Sequence, residues 1–217
     1  MIWELVKKDI IFLVASLKST LLSIILLALC LPLTGIGFGI VTPALVCYVG
    51  FYGVLAYEER SKMHLLNLAL PVTRKEICIS RYVYAIGLVI FMTILSSIGS
   101  ILGVAAIGKE DLREFVLSLP FYMILMFSIA ILYLSVMIPC IFKWGTIKAR
   151  YILVGIYVVI LIGSGSINGV VATEKISESL NRYLSGHNML LLIIGALICW
   201  VISLKISLKI WEKKDVN

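Results

Sequence analysis

Long apolar runs separated by short charged clusters set the plan of this chain. A helix needs about 20 mainly apolar residues to cross the hydrocarbon core of a bilayer. Six runs fit, at Lys18–Thr34, Ile40–Tyr57, Tyr82–Ile107, Ser118–Phe142, Tyr151–Val171 and Asn188–Ile210. The first two are separated only by the tight turn LTGIGFG, from Leu33 to Gly39. Pro32 and Pro43 flank that turn, where interrupted helix ends are tolerated. Ahead of the first run, Trp3, Val6, Ile10, Leu13 and Leu17 recur at helical spacing, while Glu4, Lys7 and Lys8 point elsewhere. Glu4 and Lys8 stand at i,i+4, a favourable pair. This pattern predicts an amphipathic helix lying on the inner membrane surface, with Trp3 at headgroup depth. A plain extension of the first span is the other reading.

The fifth run ends in GSGSING, Gly163 to Gly169. Backbone polar groups at membrane depth must be buried in protein or line water. The stretch therefore predicts a short or re-entrant fifth span, followed by a helical segment capped by Thr173; ordinary fraying at the surface is the alternative. No internal repeat is visible, and residues 1–217 read as one all-α transmembrane domain with six spans.

Composition supports the membrane class. The chain is 61% hydrophobic, with a mean hydropathy of +1.09, more apolar surface than a soluble domain of this size hides. The net charge of +7 does not indicate nucleic acid, because the basic residues flank the apolar runs. On the six-span plan, 15 of the 19 Lys and Arg fall on one side. That side is cytoplasmic by the positive-inside rule, and it holds both termini. Glu4 and Asp9, with no small-residue cleavage site after them, argue against a removable signal peptide. Cys30, Cys47, Cys78, Cys140 and Cys199 form no CxxC or Cys/His metal spacing and read as small buried thiols. His64 and His187 fall on opposite sides, so no metal site is expected.

The chemistry-bearing motifs are mostly missing. There is no GxxxxGK[ST] for phosphate, no HExxH and no GxSxG. Glu58-Glu59 begins like the EExxxR of membrane proteases, but Met63 occupies the Arg position. No Asp, Glu, Lys or Arg lies near the centre of any span, whereas ion-coupled transporters need such groups. The energy for any transport must come from another subunit.

The segment from Glu58 to Arg81 holds five of the 19 basic residues. The second span runs directly into Tyr57-Glu58-Glu59-Arg60. Met63, Leu65, Leu66, Leu68 and Leu70 then form a short apolar surface with His64 and Asn67, and Pro71 ends it. Thr73 and Glu76 match the T-x-x-E capping box, so a new helix is expected there. Arg74 and Lys75 sit in its first turn, against the helix dipole, which points to another use for these charges. The result is a helix–turn–helix on the inner surface, suited to docking a soluble partner; a solvated loop with topogenic charges is the bland alternative. Tyr48, Tyr52 and Tyr57 lie in the second span, where they line a cargo path or serve packing and interface anchoring.

The string LALPVTRKEICISRY, with Leu70-Pro71-Val72-Thr73-Arg74-Lys75-Glu76 preceded by Glu58-Glu59, resembles the cytoplasmic segment of type-2 ABC export permeases. The likeness is to the small six-span subfamily that includes phenol-soluble modulin exporter permeases of Gram-positive bacteria. It extends to the whole plan of interfacial helix, six spans and a large loop after the second. The resemblance implies that this loop is the coupling helix touching an ABC ATPase, through Glu58, Glu59, Arg60, Met63, His64, Leu66, Asn67, Pro71, Arg74, Lys75 and Glu76. Trp144 and Lys148 in the smaller loop would form a second contact. It further implies two permease chains, identical or paralogous, with two ATPases in a bacterial plasma membrane. ATP and Mg would bind the ATPase, and this chain would hold no cofactor and catalyse nothing. The lack of a charged pocket fits amphipathic peptide or hydrophobic small-molecule cargo. Short outer loops depart from relatives with a large extracellular domain. Two other classes fit the span count: a solute-capture subunit of an importer, which needs a polar pocket between helices, and a bacteriocin immunity or sensor protein.

Overall fold

The computed structural model describes residues 2–16, 18–34, 36–60, 73–107, 112–171 and 186–213, and every described element is a helix. In chain order these are α1 (Ile2–Ser16), α2 (Lys18–Cys30) continued by a 3₁₀ turn (Leu31–Thr34), α3 (Ile36–Arg60), α4 (Arg74–Ile107), α5 (Leu112–Val171) and α6 (Gly186–Lys213). Among the described residues, four helices are long and apolar enough to cross a membrane, or five if the bent pair of α1 and α2 is one span. The chain is a multi-pass membrane protein.

Several boundaries differ from those the sequence predicts. The helix of the second predicted span, α3, starts at Ile36 rather than Ile40, and Pro43 lies inside it. Proline has no N–H for the carbonyl four residues earlier. That carbonyl, on Gly39, instead accepts the hydroxyl of Ser96 from α4 at 3.3 Å. Pro139 inside α5 repeats the arrangement. The carbonyl it deprives, on Ser135, accepts the Ser203 hydroxyl of α6 at 2.6 Å. Serines on neighbouring helices thus satisfy the groups that lipid cannot.

The third span extends well beyond the expected Tyr82 start, because α4 runs unbroken from Arg74. The fifth shows no interruption at GSGSING, since the helix continues to Val171. A helix satisfies its own backbone, so glycine and serine lower its propensity without forcing it open. The segment expected after Thr173 lies outside the described residues. The break in α5 falls instead at Gly145, with φ 77° and ψ 170°. A side chain strains at such a positive φ, and glycine does not.

The core lies between α3, α4 and the first arm of α5, with α6 packed on α5. Phe51, Tyr82, Leu134, Met137 and Ile138 fill it. Gly99 and Gly103, spaced as GxxxG, let α4 approach the end of α2 and its 3₁₀ turn. A Cβ at Gly99 would stand 2.9 Å from the Leu29 carbonyl oxygen, and one at Gly103 3.1 Å from that of Pro32. Tyr82 joins three helices: its hydroxyl meets Ser203 and Ser207 of α6, each at 2.7 Å, and Ser203 in turn reaches Ser135 of α5. Apolar side chains such as Leu117, Ile147, Val159 and Leu191 cover the outside, as lipid contact requires. Cys47 and Cys78 are buried, but Cys30 and Cys199 are exposed on that apolar exterior, which corrects the expectation of uniformly buried thiols.

Candidate functional site

The end of the bundle where α3 finishes and α4 begins carries the charged groups. The capping box forms as the sequence predicts. The Thr73 backbone N–H donates to Glu76 Oε2 at 2.9 Å, and the Glu76 N–H donates to Thr73 Oγ1 at 3.3 Å. The Thr73 hydroxyl adds a 2.9 Å bond to the same carboxylate, and the Ile77 N–H reaches the Thr73 carbonyl at 3.2 Å. These bonds occupy donors that a helix start leaves open, and they fix where α4 begins.

About two turns further on, Arg81 is buried and holds two acids. Its Nη1 donates to Asp9 Oδ2 of α1 at 2.6 Å, and its Nη2 donates to Glu58 Oε2 of α3. Lys8 adds a 3.0 Å bond to Glu58 Oε1 and lies 3.9 Å from Asp9 Oδ1. Among the described residues, two acids and two bases therefore meet at the junction of α1, α3 and α4 with their formal charges balanced. Desolvating such charges is expensive, and only close, hydrogen-bonded pairing offsets it. The planar guanidinium suits this place, because its fork serves two carboxylates from one position. Asp9 and Arg81 are only 1% and 4% exposed, so the bonds are shielded from salt and solvent.

Glu59 makes the next connection. Its Oε2 accepts the backbone N–H of Thr146 at 3.2 Å and also the Thr146 hydroxyl. Gly145 turns the chain, Thr146 opens the second arm of α5, and an acid from α3 supplies the cap. The two segments singled out separately, at Glu58–Glu76 and at Trp144–Lys148, thereby meet.

The remaining residues of interest are distributed as follows. Arg60 ends α3 and Arg74 starts α4. Met63, His64, Leu66, Asn67 and Pro71 lie outside the described residues. Lys75 is exposed. Trp144 and Lys148 are exposed too, with Lys143 Nζ 5.1 Å from the Trp144 ring centroid. Tyr48 stacks on Tyr52 at 5.5 Å and meets the edge of Tyr133 at 6.3 Å, while Tyr57 packs on Phe12 at 5.0 Å.

Helix α1 departs from its expected pairing. Lys7, not Lys8, pairs with Glu4, at 3.2 Å, because Lys8 turns to Glu58. Its buried stripe is Leu5, Val6, Asp9 and Leu13, and Trp3 and Ile10 are exposed. Asp9 escaped sequence reasoning, although an acid between Leu5 and Leu13 at i,i+4,i+8 was a signal for a buried partner. Gly145-Thr146 was another: a glycine followed by a capping residue marks a corner.

The family model for ABC-2 family transporter proteins matches residues 4–212. No curated protein and no solved structure gives a significant match. The match takes in every described helix, including the ion cluster, the capping box and the Gly145 corner, and the chain belongs to the ABC-2 family of transporter proteins.

Proposed function

We propose that this protein is the permease subunit of an ATP-driven exporter, moving amphipathic peptides or hydrophobic small molecules out of a bacterial cell. Two permease chains and two ABC ATPases form the working unit. The chain crosses the plasma membrane six times with both termini in the cytoplasm. The count follows if the bent α1–α2 pair contributes one passage and α5 two. A straight helix of 60 residues would be about 90 Å long, three times the hydrocarbon thickness, and Gly145 divides it into two arms of spanning length.

The observation that carries the reading is the joining of the two inner corners by Glu59 and Thr146. A partner pressing on the start of α4 and on Trp144 and Lys148 meets two corners that Glu59 and Thr146 hold together. Lys75 provides an exposed charge in the first turn of α4, while Trp144 and Lys148 provide an exposed aromatic and basic edge. Glu58 and Glu59 hold the surface together from behind, through Arg81 and Thr146. Displacement of this corner is carried into the membrane by α3 and α4. Tyr48, Tyr52 and Tyr57 line the cargo side of α3.

The test is co-purification with an ABC ATPase of the same cell that carries a P-loop. Wild-type protein retains the ATPase, and joint replacement of Arg74, Lys75 and Glu76 by Ala removes it. Undiminished binding by that variant overturns the docking assignment. Uptake of an amphipathic peptide into inverted vesicles, dependent on ATP, tests direction and cargo class.

A further inference from the structure

We infer that Asp9 is a positioning residue for energy coupling, and that α1 is a moving part of the transmission element. The inference rests on the function proposed above. Glu58 precedes residues 61–72 in the sequence and Arg81 follows them, and Arg81 holds acids from two other helices. Glu58 holds Arg81 from the α3 side, and Asp9 holds it from α1 at 2.6 Å. One buried guanidinium thus pins three helices at one point. Leu5, Val6 and Leu13 pack α1 against the bundle, while it meets α2 at 86° and its outward face, including Trp3, Ile11 and Val14, is exposed.

The consequence is mechanical. When the inner corner is displaced, Arg81 moves with α4, and Asp9 obliges α1 to follow. The burial of Asp9 makes the link firm, because separating the pair would leave its carboxylate in a dry site with only Lys8, 3.9 Å away, to offset it. Lys8 strengthens the same junction through Glu58, so the link has two anchors on α1. Helix α1 is then a lever lying across the corner, and its angle to the bundle changes only when the corner changes.

Asp9→Asn tests this with little change in shape, since the amide oxygen still accepts from Arg81. The apolar control is Leu5→Ala, on the same buried stripe of α1 but outside the ion cluster. Two measurements are made on the full chain. In a background lacking the native cysteines, spin labels at the exposed positions Ile11 and Ile98 report the α1–α4 distance without any ATPase. A narrow distribution is expected for wild type and Leu5→Ala, and a broad one for Asp9→Asn. In the ATPase complex, cargo moved per ATP falls about fivefold or more in Asp9→Asn, with ATPase binding retained. Asp9→Glu recovers most of it. A narrow distribution in Asp9→Asn overturns the inference. So does a broad one with undiminished cargo per ATP, or an equal coupling loss in Leu5→Ala. Failure of wild type to bind or stimulate any ATPase would instead remove the functional reading, and the spin-label arm would still decide whether Asp9 locks α1.

Discussion

The Ser203 hydroxyl stands 2.6 Å from the backbone carbonyl of Ser135, the group that Pro139 leaves without its helical N–H. One proline on α5 thus creates a vacancy in the helix ladder, and one serine on α6 fills it. The same serine is bonded to the Tyr82 hydroxyl, so the repair also joins α4 to the other two helices. Ser203→Ala is expected to destabilise the protein by about 1 kcal/mol, as interhelical hydrogen bonds in membranes do. In a Pro139→Ala background, where the N–H is restored, the loss shrinks. Thermal unfolding in micelles of the four members of this cycle measures the difference, and strict additivity would deny the link.

Gly99 predicts a steric effect. Alanine there places a methyl group against the backbone carbonyls of Ala28 and Leu29, which cannot step aside as a flexible side chain would. The expected loss is about 1–3 kcal/mol. Gly87→Ala on the same helix meets nothing within 4 Å and leaves stability unchanged or slightly raised. A common melting temperature for the two variants would refute the close approach of α2 and α4.

Arg81 has a larger stake. Arg81→Met leaves two buried carboxylates with only the partly exposed Lys8 to offset them and is expected to cost about 3–5 kcal/mol. Arg81→Lys costs less, because a point charge serves one acid well but not both. Adding Asp9→Asn and Glu58→Gln to Arg81→Met removes the stranded charges and recovers much of the loss. Chemical denaturation of the three proteins orders them; a triple variant no better than the single one would mean that charge burial is not the cause.

At Thr146 the readout is local. Glu59→Ala deprives the second arm of α5 of its borrowed cap, worth about 1 kcal/mol. Amide exchange near residues 146–149 should then quicken by about fivefold, the kinetic equivalent of that energy, while α6 is unaffected. Unchanged exchange in the corner would show that Gly145 and its neighbours hold the turn by themselves.

Removing one half of the capping box gives the complementary case. Thr73→Ala loses the side-chain bonds to Glu76 and should cost about 1 kcal/mol, felt as fraying of the first turn of α4. Thr73→Ser retains the oxygen and should behave as wild type. Exchange rates at residues 76 and 77 distinguish the two.

The features legible in the sequence were those that depend on near neighbours. Thr73 and Glu76 are three residues apart, so their reciprocal bonds follow from spacing alone. Apolar run length likewise located α3, α4 and α6, because hydrocarbon thickness sets it. What stayed hidden depends on distant partners. Arg81 looked like a topogenic charge because nothing nearby in sequence neutralises it; Asp9, 72 positions away, does so. Pro43 looked like a helix boundary because the compensating donor, Ser96, belongs to another helix. GSGSING looked like a break because glycine and serine disfavour a helix, yet an unbroken helix satisfies those backbone groups within itself and needs no water-lined cavity. The corner at Gly145 was visible as a glycine before a threonine, but its cap came from Glu59, at the end of a helix 87 residues earlier.

The unbroken course of α4 has one more result. It contains no proline, starts at a fixed cap and runs 34 residues to Ile107, a rod about 51 Å long. A rod that cannot fold at its middle behaves as an oar: tilting it by about 5° at the handle sweeps the far blade by about 4 Å, given that length. Whatever pushes near Thr73 is therefore felt around Ile107, at the opposite rim, in the same instant and without any intermediate joint.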